Sequence, residues 1–233
     1  MNSFIRIFFD ASKLLTGDST VYRILLRSLF INGMATAAAA ACAIPLALMV
    51  DATRFRGKNA AITMMQTLTG VPPVAVGLIV YLFLSRNGPL ADLDLLFTRS
   101  AMIAAQVLIA FPIIFTISHS HFAKVDERIR LLARTLGASD FQVALKVFWE
   151  AVNGSITAVM TAFGRVVGEV GAVMLVGGNI QGRTRIMTTA IVLDTSKGDF
   201  ERAVALGIIL VAVAFLVNFL TVYFSRLFLR GEA

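Results

Sequence analysis

The sequence is poor in the residues that usually build metal sites and covalent cross-links. It contains one cysteine, Cys42, and two histidines, His119 and His121. A single cysteine excludes a disulfide or a thiolate metal cluster within one chain. The two histidines are separated by one residue, so on a helix they point to different faces, and no further ligands accompany them. We therefore expect no metal site and interpret Cys42 as a small packing residue.

Charged residues are scarce as well. They make up 15% of the chain, against about 25% in a typical soluble domain. Hydrophobic residues account for 58% and the mean hydropathy is +0.81. This is the composition of a membrane protein, in which basic connections between apolar segments are ordinary. The net charge of +7 therefore does not indicate nucleic-acid binding, and membrane lipid is the expected surrounding.

Motifs for several kinds of catalysis are also missing. The sequence contains no G-x-x-x-x-G-K-[ST] phosphate loop, no H-E-x-x-H zinc motif and no nucleophile elbow. Its few ionisable residues at membrane depth form no catalytic cluster. We expect a protein that is not an enzyme, with no catalytic residues and no cofactor of its own.

Five stretches are long and apolar enough to cross a bilayer. A helix needs about 20 apolar residues to span the hydrocarbon layer, where it satisfies its own backbone hydrogen bonds. Four of the stretches carry no charged residue, and one contains a single Arg and a single Glu. In chain order they are Ser28–Val50, Asn59–Ser85, Ser100–Ala123, Ala151–Val176 and Ala203–Ser225. We predict an all-α, polytopic membrane protein with five core transmembrane helices.

The chain divides into a short N-terminal segment and one membrane domain. Within residues 1–27, apolar residues recur at helical spacing, which predicts an amphipathic segment lying on the membrane surface. Residues 28–229 form the transmembrane domain, which includes a polar elbow at residues 124–150.

The second span is interrupted by Pro72 and Pro73, which lie between Gly70 and Gly77. Adjacent prolines remove two helical hydrogen bonds and clash with the preceding turn. A broken helix at membrane depth persists only where protein or a water-filled cavity satisfies the freed carbonyls. The break is either a pathway or gate element, or a packing kink.

The fourth span carries Arg165 and Glu169, which are four residues apart and can pair on one helix face. Gly164 and Gly168 form a neighbouring face of small residues for close helix contact. Charges at membrane depth are expensive and should face the bundle interior or water. The two charges either lock two helices together or border a translocation route.

The elbow has the pattern of two helices joined by a break. Gly137 suits a left-handed position after the first helix. Ser139 and Gln142 fit a capping box that opens the second. An ordered elbow outside the membrane usually binds a partner, although a plain solvated connector would share the pattern. Among the short connections, basic residues favour the elbow side, which predicts a cytoplasmic elbow.

The elbow resembles the coupling segment of permease subunits of ATP-binding-cassette (ABC) importers. That segment places a small residue four positions before a Gly and a hydrophobic residue ten positions after it, as in Ala133, Gly137 and Val147. The chain departs from the family pattern at Leu131-Leu132 and at Trp149-Glu150. The resemblance implies that the centre of the elbow couples to an ATPase; its residues are Ala133, Arg134, Leu136, Gly137, Ala138, Ser139 and Asp140.

Two further segments resemble oxyanion permeases of this family. Pro72-Pro73-Val74 with Gly77 is similar to the second-helix motif of molybdate and sulfate permeases, and Gly168–Ala172 is similar to their Gly-Glu-Phe-Gly-Ala segment. The run from Gly177 to Ala190 looks most like the tungstate permeases. The candidates that the resemblance gives for the translocation pathway and gate are Pro72, Pro73, Gly77, Arg165, Gly168, Glu169 and Gly171.

The resemblance implies a type I ABC importer permease in the inner membrane of a prokaryote. The N-terminus would be extracytoplasmic, and the elbow and C-terminus cytoplasmic. The implied partners are a second copy of the chain, two ABC ATPase subunits that bind ATP and Mg²⁺, and an extracytoplasmic oxyanion-binding protein. Elbow leucines such as Leu131, Leu132 and Leu136 would contact the ATPase, with Arg134 and Asp140 at the rim.

Tungstate is the substrate that the resemblance favours, with molybdate or sulfate as alternatives. A different class is an ion-coupled secondary transporter that uses Glu169 as its titrating group, but this class does not explain the elbow. Few anion ligands lie inside the spans, so we expect selectivity to reside mainly in the binding protein. The candidate anion ligands inside the spans are Arg165 and the hydroxyls of Thr67, Thr69, Ser118 and Thr161.

Overall fold

The computed structural model describes residues 19–230, without the side chains at positions 218, 221, 222 and 224–230 of the last helix. This part of the chain forms ten α-helices, one 3₁₀ turn at Ala91–Leu93 and no β-strand. The helices are α1 Ser19–Ala52, α2 Lys58–Leu68, α3 Pro73–Leu84, α4 Arg99–Phe122, α5 Glu127–Thr135, α6 Asp140–Glu150, α7 Val152–Val167, α8 Gly171–Gly177, α9 Met187–Ser196 and α10 Phe200–Arg230.

Three helices, α1, α4 and α10, are each long and apolar enough to cross a membrane. Two further spans are each made of two helices that meet at a break. The axes of α2 and α3 differ by 100°, and those of α7 and α8 differ by 65°. If each bent pair is one span, the described chain has five, as predicted. The break in the second span falls at the predicted prolines, whereas the break in the fourth span, between α7 and α8, was not predicted.

The centre of the bundle is the pair formed by α1 and α4, whose mutual contact is the most extensive in the described chain. Ala35, Ala39, Ala43 and Ala47 are fully buried along one face of α1. Small side chains at a spacing of four let helices approach closely, which matters in lipid because no hydrophobic force drives helices together there. Helix α7 packs on the same pair and completes a three-helix core.

A buried polar bridge joins these three helices. Gln106 of α4 donates its side-chain amide to Asn32 Oδ1 of α1 at 2.7 Å and to the carbonyl of Val166 in α7 at 3.3 Å. Asn32 is 1% exposed and Gln106 is fully buried. Hydrogen bonds between helices stabilise membrane bundles by about 0.6–2 kcal/mol each. The bridge also fixes the register of the three helices.

The ends of the chain are described only in part. Residues 1–18 of the predicted amphipathic segment lie outside the described residues, and Ser19–Arg27 form the start of α1. Near the other end, Asp199 caps α10, as the sequence predicts, by accepting from Arg202 N at 3.3 Å. Burial raises the pKa of the Asp194 carboxyl at the end of α9, and the nearby Arg202 opposes that rise.

Candidate coupling elbow and translocation pathway

The elbow, α5 and α6, is fixed by a complete set of local hydrogen bonds. Gly137 has φ +84°, and the amides of Gly137 and Ala138 donate to the carbonyls of Arg134 and Ala133, both at 3.0 Å. These two bonds define a Schellman motif that closes α5. Asp126 caps the start of α5 by accepting from Arg128 N at 2.9 Å. The predicted end of the first elbow helix is therefore confirmed.

The second elbow helix begins with the predicted capping box. Gln142 Oε1 accepts from Ser139 N at 2.8 Å, and Ser139 Oγ accepts from Gln142 N at 3.4 Å. The exposed side chains of Arg134 and Asp140 form an ion pair at 3.2 Å across the turn. An exposed pair of this kind adds little stability. The backbone caps rather than this pair hold the angle between α5 and α6.

The outer surface of the elbow is unusually apolar. Leu131, Leu132 and Leu136 are 55%, 63% and 80% exposed, and Phe141 is 76% exposed. Exposed apolar residues that cluster in this way mark a surface that binds another molecule. The three leucines are those that the sequence analysis assigns to partner contact. The sequence analysis did not assign Phe141 to this surface. The signal was available, because Phe141 does not share the helix face of α6 that carries the buried Val143 and Val147.

The elbow is fastened to the bundle by one arginine that sequence analysis did not single out. Arg130 of α5 lies 2.8 Å from Asp51 Oδ2 near the end of α1, and it donates to the carbonyl of Phe122 at the end of α4, also at 2.8 Å. The side chains of Arg130 and Asp51 are only 14% and 8% exposed. A displacement of α5 is therefore transmitted to both central helices through one side chain.

Val147 of α6 is a second connection between the elbow and the bundle. It is fully buried and belongs to the same apolar cluster as Phe122 and Ala151. This residue occupies the hydrophobic position that the family pattern places ten residues after the Gly. The elbow is thus attached to the bundle by a polar contact at Arg130 and by apolar packing that includes Val147.

The two broken spans meet at their breaks. Pro72 precedes α3 and Pro73 is its first residue, a position where the missing amide hydrogen costs no helical bond. Gly77 of α3 lies so close to α8 that an added Cβ would stand 2.5 Å from the Cα of Ala172. A Cβ on Gly171 would instead meet a side-chain methyl of Val74. The close approach of the two half-helices therefore requires glycine at position 77, where the neighbouring atoms are backbone.

Glu169 lies in the break between α7 and α8 and is 6% exposed. Its carboxylate pairs with Arg165 Nη1 at 3.2 Å and accepts from Ala172 N, also at 3.2 Å. A carboxylate at a helix N-terminus satisfies unpaired amides and interacts favourably with the helix dipole. Thr188 of α9 donates to the carbonyl of Glu169 at 2.9 Å. The predicted pair is present, and it holds the break together locally.

The glycine face of α7 makes no contact within the described chain. A Cβ on Gly164 would meet nothing within 4 Å, and one on Gly168 would reach only the carbonyl of Gly164. The close helix contact predicted for these glycines is therefore not made to another described helix of the same chain. The face points outward because the buried side of α7 is defined by Ala158, Ala162 and Val166.

The predicted anion ligands do not form one site. Thr67, Thr69 and Thr161 are exposed, and each hydroxyl donates to a carbonyl of its own helix or turn. Ser118 is fully buried on the core face of α4. Its role as an anion ligand stays a prediction. Arg165 remains partly exposed beside the α7–α8 break.

The described chain is thus a helical membrane bundle with two broken spans and an elbow whose exposed surface is apolar. The chain belongs to the family described as binding-protein-dependent transport system inner membrane component, whose model matches residues 43–230. This match confirms the resemblance to ABC importer permeases and identifies the chain as an inner membrane component.

Curated relatives cover most of the chain. The tungstate uptake system permease protein TupB of Peptoclostridium acidaminophilum is 41% identical over 205 residues, which are 88% of this chain and 90% of that one. The molybdenum transport system permease protein ModB of Azotobacter vinelandii is 29% identical over 195 residues, 80% of this chain and 86% of that one. Oxyanion permeases are thus the relatives of this chain, and the tungstate protein is nearer than the molybdenum protein.

Solved structures share the fold. The bacterial alginate ABC transporter in complex with its periplasmic protein matches with a TM-score of 0.76 at 20% identity, covering 94% of this chain and 82% of that one. The methionine ABC transporter MetNI, in an inward-facing conformation, matches with a TM-score of 0.72 at 16% identity, covering 90% and 96%. The predicted type I importer permease fold is confirmed.

Proposed function

We propose that this chain is the membrane-embedded permease subunit of an ATP-driven importer of tungstate. The observation that supports tungstate as the substrate is the 41% identity, over 88% of the chain, to a tungstate uptake permease. The 29% identity to a molybdenum permease makes molybdate the second candidate. Both anions are tetrahedral and doubly charged, so one permease architecture serves either.

The energy for transport comes from partner subunits. Two ABC ATPases bind ATP and Mg²⁺, two copies of this chain form the pathway, and an extracytoplasmic protein delivers the anion. The elbow is cytoplasmic, with an extracytoplasmic N-terminus and a cytoplasmic C-terminus. Support for this assembly comes from the exposed apolar tip at Leu131, Leu132, Leu136 and Phe141, which needs an apolar partner surface.

Coupling runs from the elbow into the bundle. When the ATPases close, the elbow moves as one unit because the caps at Gly137 and Ser139 keep its two helices at a fixed angle. Arg130 and Val147 carry that motion to α1 and α4. Packed interfaces tend to switch between discrete arrangements, so a small displacement becomes a change in which side of the pathway is open.

The breaks in the second and fourth spans supply the moving parts of the pathway. Backbone at membrane depth is free of regular helical bonds only where a cavity or protein compensates it. The Arg165–Glu169 pair holds the break between α7 and α8, and the close approach of Gly77 to Ala172 keeps the half-helices α3 and α8 together. The exposed side chains of Thr161 and Arg165 on α7 then face a hydrated anion.

The test is reconstitution of the chain with its ATPase and binding protein in liposomes. Tungstate should stimulate ATP hydrolysis and accumulate inside, and molybdate should do so more weakly, with sulfate weakest. Equal or greater stimulation by molybdate would transfer the assignment to that anion. Uptake driven by an ion gradient in the absence of ATPase would instead establish a secondary transporter and contradict the proposal.

A further inference from the structure

Five arginines gather at the end of the molecule opposite the elbow. Helices α1 and α4 both run from this end toward the elbow, so their first residues mark the far face. The arginines lie near the start of α1, at the start of α4 and in the loop between α8 and α9; they are Arg23, Arg27, Arg99, Arg183 and Arg185. At about 1.5 Å per residue, the 24 residues of α4 put Arg99 about 36 Å from the elbow end of that helix.

Two of these arginines fasten the α8–α9 loop to the bundle. Arg27 donates from Nη1 to the carbonyl of Arg185 and from Nη2 to the carbonyl of Gly182, both at 2.9 Å. Arg99 donates from Nε to the carbonyl of Arg183 at 3.1 Å. These bonds explain why the loop is held in place. They do not neutralise the charges, because carbonyl oxygens carry no full negative charge.

The cluster lacks counter-ions within residues 19–230. None of the five arginines is among the ion pairs of the described side chains. Arg23, Arg27 and Arg185 line one cavity, so three like charges share the same space. Like charges in one space repel each other unless an anion lies between them.

A cavity of about 210 Å³ opens beside three of the five arginines. Arg23, Arg27 and Arg185 line it together with Thr20 and Gln181. A water molecule occupies about 30 Å³ in the liquid, so the cavity has room for an oxyanion that keeps part of its hydration shell. Its wall is concave and basic, which suits a small anionic group better than the flat surface of a protein.

Donors remain available inside this arginine pocket. Arg27 Nε has no acceptor, but it is buried and is not one of these donors. Arg23 uses Nε and Nη2 on Ser19, and Arg185 uses Nε and Nη2 on Asn179. The Nη1 group of each of these two arginines has no acceptor among the described residues. A guanidinium donates in a planar fork that matches the oxygen spacing of a phosphate-like group.

We propose that the arginine pocket binds a tetrahedral oxyanion group, carried either by a free dianion such as phosphate or tungstate or by the phosphate of an anionic lipid. The anion bridges Arg23 and Arg185 and relieves the repulsion on Arg27. This site lies at the opposite end from the coupling elbow, so its failure would leave the proposed transport function intact.

The first arm of the test detects a free anion. The intact chain, purified with the subunits that copurify with it, is placed in nanodiscs of phosphatidylcholine. Phosphate and tungstate are titrated against chloride at constant ionic strength, and the Tm is recorded, because a ligand that binds only the folded state raises it. We expect both oxyanions to raise the Tm well above the effect of chloride.

The second arm detects a lipid phosphate. Native mass spectrometry of the same preparation, exchanged into membranes that contain phosphatidylglycerol, should show retained phosphatidylglycerol molecules. Arg23→Gln should weaken whichever ligand binds by about tenfold, since it removes one charged hydrogen-bonding partner. Arg185→Gln should do the same. Arg23→Lys should fall between, because it keeps the charge but loses the planar fork.

The matched control is Arg86→Gln, which removes the same charge from an exposed residue that does not line the pocket. It should leave binding unchanged. The proposal is overturned if Arg23→Gln and Arg86→Gln weaken binding equally, since the effect would then be one of net charge. Protection by chloride equal to that by oxyanions, or no protection by any of the probes, would overturn it as well. Arg23 is exposed, so its variants should fold even if those of Arg185 do not.

Discussion

At the scale of the single residue, Arg130 is the side chain that connects the elbow to the ends of α1 and α4. Arg130→Gln leaves Asp51 as a buried charge without its partner. Breaking a buried pair costs about 3–5 kcal/mol, and the lower end applies because Arg130 stays 14% exposed. We expect a lower free energy of unfolding and a loss of substrate-stimulated ATP hydrolysis relative to basal hydrolysis in the reconstituted complex.

Two variants isolate the Arg130 effect. Arg128→Gln removes the same charge from an exposed position of α5 and should change stability by less than about 0.5 kcal/mol. The double variant Arg130→Gln with Asp51→Asn removes both charges, so it should recover part of the loss. An additive double variant would show that the 2.8 Å contact does not couple the two residues.

Gly137 allows a test of the elbow angle that does not involve packing. Its φ is +84°, and an added Cβ would meet nothing within 4 Å. Gly137→Val should therefore cost about 1–2 kcal/mol through backbone strain alone. Gly137→Asn should cost less, because Asn tolerates the left-handed region better. We expect coupling of transport to ATP hydrolysis to fall in that order while the helix content, measured by circular dichroism, stays constant. Equal loss in both variants would contradict the strain argument.

At the scale of the element, the sequence predicts the features that depend on neighbouring residues and misses those that depend on residues far apart in the chain. The caps at Gly137 and Ser139 follow from residues within one turn of each other, so the sequence predicts them correctly. The ion pair between Arg130 and Asp51 joins residues far apart in the chain, and nothing local marks either of them. The outward direction of Gly164 was missed for a related reason. The spacing of Gly164 and Gly168 shows that one face of the helix carries small residues, but it does not show which face the rest of the bundle covers.

The crossing of α3 and α8 gives a prediction for a whole element. Gly77→Ala would place a Cβ 2.5 Å from the backbone of Ala172, which cannot move aside as a side chain would. Overpacking of this kind typically costs about 1–3 kcal/mol. We expect a lower Tm of the purified chain and weaker tungstate uptake, because the two broken spans separate.

Gly207→Ala is the matched control for the α3–α8 crossing. Gly207 lies within α10, and a Cβ there meets nothing within 4 Å. Alanine has the higher helix propensity, so this variant should be neutral or more stable by up to about 1 kcal/mol. If Gly77→Ala proved as harmless as Gly207→Ala, the half-helices would not depend on their close approach.

At the scale of the whole molecule, the elbow and the arginine pocket mark its two ends, and their sides of the membrane can be measured. Cys42 is the one native thiol, so Cys42→Ala provides a background for single-cysteine labelling. In that background, Phe141→Cys should react with a membrane-impermeant maleimide only in inside-out vesicles. Asn87→Cys, in the exposed turn after α3, should react only in right-side-out vesicles. The reverse pattern would put the elbow outside the cell, where a cytoplasmic ATPase cannot contact it.

The outward glycine face of α7 predicts how two copies meet. Gly164 and Gly168 are exposed in the chain, whereas small residues at this spacing usually serve close helix contact. If the second copy covers this face, Gly164→Leu should abolish the dimer, measured by the mass of the detergent-purified protein. The Tm of the isolated chain should hardly change, because nothing lies within 4 Å of a Cβ at this position. Gly207→Leu adds the same bulk on α10 and should leave the dimer intact. A Gly164→Leu protein that stays dimeric would place the interface elsewhere and leave the small face to the pathway alone.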